Sequence, residues 1–295
     1  MEIPKVIFNC IAFIYRNEKI NGEMRPFPCG TGFFVGIRSE VDGEGIYIYL
    51  VTAKHIIENV RKEDLSIRVD TQKGPIHFMH PGGFNWFSHP DDEDVDVAVT
   101  PFTLNNVEFG DKYPSFLSPG IFLNSKNIED GDIEVGNDVF ISGLFSQHDG
   151  KFNNLPIIRL GNIAMFPDEN EKVSVKWHNA KIDAYLIEAR SVGGLSGSPV
   201  FFREPYFKVT ATGHMSIRPR PKFYLGGLIH GHFVVGVPES DNKDFFSEER
   251  YVNEGVAIVV PATKISETLM QDKLKLIRSE KDCEFNREKS ASESS

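Results

Sequence analysis

The chain has 295 residues, with 42 acidic and 32 basic side chains, which gives a formal net charge of −10 at pH 7. No basic cluster stands apart from this acidic background, so the composition argues against binding to a nucleic-acid backbone or to an anionic membrane surface. Apolar residues make up 40% of the chain, in short runs broken by 25 glycines and 17 prolines. This pattern favours strands over long helices and predicts a mostly β protein.

The cysteines of the chain indicate the redox state of its compartment, and its hydropathy indicates whether it spans a membrane. Cys10, Cys29 and Cys283 are widely spaced, and three cysteines form neither a complete disulfide framework nor a Cys-x-x-Cys metal signature. We therefore expect a reducing compartment and a cytoplasmic location. The sequence contains no run of about 18 consecutive apolar residues, so we expect no membrane span.

Six short apolar segments, separated by polar or glycine-rich turns, come first along the chain. They are Val6–Tyr15, Gly32–Ile37, Ile46–Val51, Leu65–Val69, Ile76–Met79 and Val95–Val99. Strands at this spacing predict a small antiparallel barrel over residues 1–102. Residues 103–134 carry Asn, Ser, Pro and Gly without sustained periodicity, and we interpret them as a linker between barrels.

A second set of apolar segments predicts a second barrel, over residues 135–262. They are Asp138–Ser142, Leu155–Met165, Val173–Trp177, Ile182–Glu188, Ser198–Phe202, Phe223–His230 and Val256–Val260. Two sets of about six strands predict an all-β fold, with two six-stranded antiparallel barrels and a cleft between them. Helical periodicity after Pro261 predicts a C-terminal helix over residues 263–278, and the charged, serine-rich residues 279–295 predict a disordered tail.

The stretch Val192–Phe202 places Ser196 among glycines, immediately before an apolar run. Gly193, Gly194 and Gly197 have no Cβ, so the backbone can adopt φ > 0 and turn its amides toward a point beside the Ser196 hydroxyl. Such a point can hold an oxyanion. Taken alone, the stretch is also explained as an ordinary Gly/Ser turn that leads into a strand.

Two upstream segments supply side chains that can work with Ser196. His55 lies where a buried-looking strand turns into a short helix, and Asp96 stands directly before an apolar run. Strand alternation places Asp94 and Asp96 on one face, so one carboxylate can point inward. Taken singly, the histidine is explained as a structural or surface residue and the carboxylates as an acidic turn. Together with Ser196 they provide a base, an orienting acid and a nucleophile.

The three segments together resemble the catalytic motifs of the chymotrypsin-like (trypsin-like) serine peptidases. The matching stretches are TAKHII around His55, DVAV from Asp96 and GLSGSPVF around Ser196; GTGFFV, from Gly30, is similar to the strand that precedes the histidine motif in bacterial members. The resemblance implies two six-stranded barrels with the active site between them. It also implies hydrolysis of a polypeptide substrate through an acyl-enzyme, with no metal and no organic cofactor.

The resemblance assigns a role to each residue of these motifs. His55 would act as general base and then acid, Asp96 would fix its tautomer, and Ser196 would attack the substrate. The amides of Gly194 and Ser196 would form the oxyanion hole. Leu195 stands where secreted zymogens of the family carry an acid that pairs with a newly cut N-terminus, so we expect no activation by that ion pair.

A substrate preference is implied by the glutamate-specific bacterial members. GLSGSPVF, followed about thirty residues later by an Ile–His pair, is similar to that branch, in which the matching histidine contacts the substrate carboxylate. The matching residue is His230, next to Gly231 in the strand that forms a pocket wall. Arg190 lies in the segment that lines the pocket floor, and its guanidinium can pair with a carboxylate. We therefore predict cleavage after Glu or Asp, with a small or apolar pocket as the alternative.

Other classes of function compete with this interpretation. An α/β-hydrolase carries its acid and histidine after the serine, an order that Ser196 fits poorly. A second alternative is a catalytically silent protease fold that serves as a binding or scaffold module. A third is a metal site formed by His77, His80 and His89. Positions 77 and 80 of a strand point to opposite faces, so we expect no metal there.

Overall fold

Short apolar runs separated by turns form strands in both halves of the chain. The computed structural model describes residues 3–41, 45–58, 60–71, 73–103, 115–168, 170–175, 180–189, 194–209, 213, 215–237 and 250–293. Within these ranges the fold is mostly β, with a seven-stranded sheet, a closed six-stranded barrel and C-terminal helices. The predicted all-β fold class is therefore confirmed.

The N-terminal half folds as one antiparallel sheet. In chain order its strands are β1 Ile11–Ile20, β2 Glu23–Arg38, β3 Ile46–Thr52, β4 Leu65–Thr71, β5 Gly74–Phe78, β6 Phe87–Ser88 and β7 Ala98–Pro101. Across the sheet the order is β5-β4-β1-β2-β3-β7-β6. Phe13, Phe33 and Leu50 are completely buried, so β1, β2 and β3 form the core of this half. The sequence predicts six strands here and misses β6. This strand has only two residues, which is too short to show an alternation of apolar and polar side chains.

The first apolar run differs from the predicted single strand over residues 6–15. It begins as a helical turn, α1 Val6–Asn9, in which the Ile7 amide donates to the Pro4 carbonyl at 3.0 Å, and β1 starts only at Ile11. Ile7 still packs into the core, with 1% of its surface exposed. Periodicity does not separate helix from strand in so short an apolar run.

The C-terminal half contains the closed barrel. Its strands are β8 Asp138–Gly143, β9 Ile157–Met165, β12 Tyr185–Glu188, β13 Pro199–Arg203, β16 Phe223–Val237 and β17 Arg250–Pro261. They close in the order β12-β17-β16-β13-β8-β9. Two further pairs lie outside the barrel, β10 Val173–Val175 with β11 Ala180–Ile182, and β14 Phe207–Val209 with β15 Met215–Ile217. Strands β13 and β16 pair directly, and this pairing positions the loop that carries Ser196.

Helices complete the fold and differ from the sequence prediction near the C-terminus. They are α2 Lys54–Glu58, α3 Ser125–Glu129 in the predicted linker, α4 Ala262–Leu269 and α5 Asp272–Glu293. Two helices therefore replace the single one predicted over residues 263–278, and α5 continues through most of the predicted disordered tail. In the described part of the chain, no helix combines the length and apolarity needed to cross a membrane.

Buried polar contacts explain why α5 extends beyond its apolar positions. The Asp282 carboxylate accepts hydrogen bonds from Tyr47 Oη at 2.6 Å and from Ser39 Oγ at 2.8 Å. One turn earlier, the Arg278 guanidinium donates to Tyr49 Oη at 2.9 Å. Both charged residues are more than nine-tenths buried, with 8% of Arg278 and 9% of Asp282 exposed. A pattern of apolar residues cannot reveal such contacts, which dock α5 on the N-terminal sheet.

We expect Asp282→Ala to destabilise the protein, because it removes the buried carboxylate that accepts hydrogen bonds from Tyr47 and Ser39. Hydrogen bonds to a charged group contribute about 1.5–3 kcal/mol each, and some of this loss is recovered by water. The free energy of unfolding, measured in urea, should therefore fall by roughly 1–3 kcal/mol. Glu284→Ala, at an exposed position of the same helix, is the matched control and should change it by less than about 0.5 kcal/mol. Equal effects of the two substitutions would contradict this account of α5.

Candidate active site

Ser196 lies on a tight loop that leads into β13. The Ser198 amide donates to the Leu195 carbonyl at 2.9 Å and closes a turn around it. Gly194 and Gly197 on either side have φ of +96° and +77°, a region that residues with a Cβ rarely adopt. Positive φ, suggested by the glycine pattern, is confirmed at these two positions. Gly193 lies outside the described residues.

Thr31 of β2 holds this loop from the N-terminal half. Its amide donates to the Ser196 carbonyl at 2.9 Å, and its hydroxyl donates to the Gly194 carbonyl at 2.8 Å. The same hydroxyl accepts from the Leu144 amide at 2.9 Å, and the Thr31 carbonyl accepts from Thr52 Oγ1 at 2.7 Å. Thr31 is completely buried. One residue of the N-terminal sheet thus fixes two carbonyls of the serine loop.

Gly197 is packed tightly between the two halves. Its amide donates to the Ile229 carbonyl of β16 at 2.8 Å. A Cβ added to Gly197 would stand 2.2 Å from the Thr31 carbonyl oxygen and 2.5 Å from Thr52 Oγ1. Real Cβ atoms essentially never approach other atoms so closely. Space as well as φ therefore requires glycine after the serine.

His55 and Asp96 meet at the edge of the N-terminal sheet. His55 lies in α2, directly after β3, and its amide donates to Asp96 Oδ1 at 2.8 Å. Its ring Nδ1 lies 2.7 Å from Asp96 Oδ2. Asp96 is 6% exposed, whereas the side chain of His55 is 23% exposed. The structure therefore brings together two of the three residues that the motifs single out, with the histidine ring open to solvent on one side.

The other acidic candidate, Asp94, lies closer to the surface than Asp96. It is exposed, and its amide donates to Asp92 Oδ1 at 3.0 Å. The Val97 amide donates to the Val95 carbonyl at 2.9 Å, so this segment turns, and β7 begins only at Ala98. The expectation that strand alternation would place Asp94 and Asp96 on one face is wrong, because the segment is not extended.

His230 of β16 is the residue whose place the sequence did not reveal. Its Nδ1 lies 2.5 Å from Asp96 Oδ2, and its ring meets the His55 ring edge to face, with centroids 5.5 Å apart. Its carbonyl accepts a hydrogen bond from Ser196 Oγ at 3.4 Å. Only 6% of His230 is exposed. The sequence did carry a signal, because a histidine at the end of the apolar segment Phe223–His230 needs a polar partner if it is buried.

Two histidines determine the charge of Asp96. Burial alone would raise the pKa of this carboxyl, but hydrogen bonds from His230 and His55 outweigh burial and hold the pKa well below its usual range. An ionised carboxylate only accepts hydrogen bonds, so each Nδ1 must carry the donated hydrogen. When His55 is neutral, its Nε2 is then free of hydrogen and can accept a proton. A direct hydrogen bond between Ser196 and His55 stays a prediction.

A cavity of about 190 Å³ opens beside His55, Asp96 and His230. Apolar side chains of β10 and β11 form part of its wall, and three carboxylates and one ammonium group also line it. These residues are Val175, Ala180, Ile182, Glu58, Glu93, Asp94 and Lys54. The Lys54 ammonium donates to the Glu93 carbonyl at 2.8 Å. The cavity can therefore receive an apolar or basic side chain of an extended ligand more readily than an acidic one.

The structure describes two of the three residues that were predicted to bind substrate. Arg190 lies outside the described residues. Gly231 lies in β16 opposite Ile258, with open space where a Cβ would stand, so a ligand can approach its backbone closely. The Nδ1 of His230 is engaged with Asp96, so contact with a substrate carboxylate would have to come from Nε2. The substrate-binding role of these three residues stays a prediction.

The histidines considered for a metal site do not converge. His77 Nδ1 lies 3.4 Å from Ser66 Oγ, whereas His89 Nε2 lies 2.7 Å from a carboxylate of Glu267 in α4. In the part of the chain that the structure describes, metal-like spacing occurs instead in the cluster of His55, Asp96 and His230. Its N···O distances of 2.5 and 2.7 Å are hydrogen-bond lengths. Ligand atoms around tetrahedral zinc lie ~3.3 Å apart, so the geometry favours hydrogen bonding.

Comparisons with known proteins add similar structures but no family. No protein-family model matches the chain, and no curated protein sequence matches it. Among solved structures, the active form of Rv3671c protease from M. tuberculosis is similar at 14% identity and a TM-score of 0.45, over 88% of this chain and 79% of that one.

Two other structures of the same protease are similar to the chain. The inactive form has 14% identity and a TM-score of 0.44, over 88% of this chain and 87% of that one. A serine-to-alanine mutant in the inactive form has 13% identity and a TM-score of 0.42, over 91% and 93% of the two chains. Similarity at this level carries no argument about the reaction, which depends on the residues of this chain.

We expect Gly197→Ala to disrupt the contact between the serine loop and the N-terminal sheet. The new Cβ would collide with the Thr31 carbonyl, so the free energy of unfolding should fall and hydrogen exchange at the Thr31 amide should accelerate. Gly22→Ala is the matched control, because Gly22 has φ of +88° but open space around it. It should lower the free energy of unfolding by only about 1–2 kcal/mol, the effect of a left-handed alanine. Equal losses in the two variants would refute the steric argument.

Proposed function

We propose that this chain is a serine endopeptidase that hydrolyses peptide bonds through Ser196, His55 and Asp96. The observation that supports this most is the double contact between His55 and Asp96, in which one buried carboxylate accepts from both the amide and the ring of the histidine. That contact fixes both the orientation and the tautomer of the ring, which is what a general base requires. The restrained glycine loop around Ser196 supports the same proposal.

The proposed reaction begins with transfer of the Ser196 proton to Nε2 of His55 while Oγ attacks the substrate carbonyl carbon. The resulting imidazolium is stabilised by ionised Asp96 through Nδ1–H. His55 then gives the proton to the leaving amine as the C–N bond breaks, which leaves an acyl-enzyme on Ser196. Water, deprotonated by His55, attacks the ester and releases the acid, and the proton returns to Ser196.

We place the oxyanion hole at the amides of Gly194 and Ser196. The Leu195 carbonyl, which shares a peptide plane with the Ser196 amide, accepts from the Ser198 amide at 2.9 Å, and Thr31 binds the carbonyls of Gly194 and Ser196, so the loop is restrained before substrate binds. Donors that are already oriented stabilise developing negative charge without reorganisation during the reaction. The positive φ of Gly194 supports this assignment, because it turns the chain sharply just before the serine.

Three substitutions test the triad. Ser196→Ala and His55→Ala should abolish both peptide cleavage and labelling by a fluorophosphonate, since they remove the nucleophile and the base. Asp96→Asn should lower kcat by roughly 10⁴-fold, because an amide can hold the wrong histidine tautomer. Asp94→Asn is the matched control and should retain the kcat of the parent.

The controls also separate the alternatives. Equal cleavage by the parent and Ser196→Ala would exclude Ser196 as the nucleophile. A well-folded parent that neither cleaves a peptide library nor reacts with the fluorophosphonate would favour the silent binding or scaffold module instead. A loss in Asp94→Asn as large as that in Asp96→Asn would show that the acid was misassigned.

We also propose that the peptidase acts in the cytoplasm. Cys10, Cys29 and Cys283 are all free. Burial is the main factor that raises the pKa of Cys29 to about 11, so its thiol stays protonated and resists oxidation. A fold that needs no disulfide is suited to a reducing compartment. The location can be measured by fractionating the cells that express the chain.

Cleavage after Glu or Asp is a further part of the proposal, and it is supported by the sequence resemblance around His230 and Arg190. The acidic side chains beside the neighbouring cavity do not contribute to such a preference. An acidic residue before the cut would therefore have to be recognised at the Gly231 side of the site.

Cleavage-site profiling on a denatured proteome tests this specificity. We expect Glu or Asp to dominate immediately before the cut, and Arg190→Ala to reduce that preference by loss of a bidentate partner for the carboxylate. Arg220→Ala, at an exposed arginine of the same half, is the control and should leave the profile unchanged. A dominant apolar or basic residue before the cut would contradict acidic specificity without affecting the triad assignment.

A further inference from the structure

We infer that His230 is a positioning residue of the active site, which orients Asp96 and through it His55. This inference rests on the proposed function and gives His230 a role other than contact with substrate. Its Nδ1 lies 2.5 Å from the same carboxylate oxygen, Oδ2, that lies 2.7 Å from Nδ1 of His55. The two imidazoles therefore hold one carboxylate from two directions.

The backbone of His230 is fixed relative to the serine loop. The neighbouring residue, Ile229, accepts from the Gly197 amide at 2.8 Å and donates to the Ser198 carbonyl at 2.9 Å. The His230 carbonyl itself accepts from Ser196 Oγ at 3.4 Å. Any displacement of β16 would thus move the serine loop and the Asp96 donor together. His230 connects the barrel that carries the nucleophile with the sheet that carries the base.

The surroundings of His230 favour this role. Its side chain is 6% exposed and faces the Asp96 carboxylate and the His55 ring. The other charged groups that line the adjoining cavity are Lys54, Glu58, Glu93 and Asp94. Lys54 pairs with Glu58 at 3.6 Å and donates to the Glu93 carbonyl. The three exposed carboxylates, Glu58, Glu93 and Asp94, are open to water, which screens their effect on the buried group.

The second donor has a consequence for the base. A hydrogen bond from His230 withdraws negative charge from Asp96, so less charge faces the imidazolium form of His55. Without that donor, His55 holds its proton more strongly, and a higher pH is needed to obtain the neutral base. Asp96 also loses one of the contacts that restrict its rotation. Loss of the donor should therefore lower kcat and shift the acid limb of the pH profile upward.

The test compares His230→Leu, which has no donor, with His230→Asn, whose side-chain amide can donate from near the position of Nδ1. On a peptide that the parent cleaves, His230→Leu should reduce kcat/KM roughly 10- to 100-fold and raise the midpoint of its acid limb. His230→Asn should recover most of both changes. His232→Leu, two residues along the same strand, is the matched control and should keep the midpoint of the parent.

The pH midpoint distinguishes positioning from misfolding. A smaller folded fraction lowers the amount of active protein but leaves the midpoint where the parent has it. A His230→Leu variant with the parent's midpoint, or a midpoint that His230→Asn fails to restore, would overturn the inference. Parent-like kcat/KM in His230→Leu, alongside inactive Ser196→Ala, would overturn it while the proposed function stands.

A second readout does not depend on activity. In NMR spectra of ¹⁵N-histidine-labelled protein, the Nδ1–H protons of His55 and His230 should appear downfield and exchange slowly, because both donate to a buried carboxylate. His230→Asn should remove the His230 signal, and Asp96→Ala should shift both signals back toward ordinary values. A His230 proton that is unaffected by Asp96→Ala would overturn the inference even if the parent cleaved no peptide.

Discussion

The contact between Thr31 and the serine loop is the constraint on which the site depends. A hydroxyl, an amide and a carbonyl of one buried residue are all engaged, and two of these three groups bind the loop of the other half. Buried polar groups without partners are strongly unfavourable, so the two halves are stable together only in the register that satisfies Thr31. The position of Ser196 relative to the N-terminal sheet follows from that register.

A second constraint is the charge buried at Asp96. Removing a carboxylate from water is unfavourable by several kcal/mol unless hydrogen bonds replace the lost hydration. Here the replacement comes from His55 and from His230, which belong to different halves of the chain. Folding of the two halves and ionisation of the acid are therefore coupled. A histidine with a fixed tautomer is the chemical result of that coupling.

The motifs in the sequence predicted that His55 and Asp96 would lie together, whereas contacts between distant segments were not visible in them. His55, Asp96 and Ser196 stand in short motifs whose residue types reflect their own chemistry. The contact between His230 and Asp96 was not predicted, because a motif shows which residues are present but not which buried group they contact across the fold. The tail from residue 279 was predicted to be disordered for a related reason. Its helix is held in place by polar contacts of Asp282 and Arg278. Polar contacts of this kind do not produce the periodic pattern of apolar residues from which a helix is predicted.

The docking of α5 also bears on the order in which the chain can fold during synthesis. Tyr47 and Tyr49 belong to β3, the strand that leads directly into the helix of His55, and their hydroxyls contact Asp282 and Arg278. Those partners leave the ribosome more than 200 residues later. Strand β3 therefore lacks these two contacts until α5 has emerged. Such late closure would leave the proposed catalytic centre without its full support while other segments of the nascent chain are still unfolded.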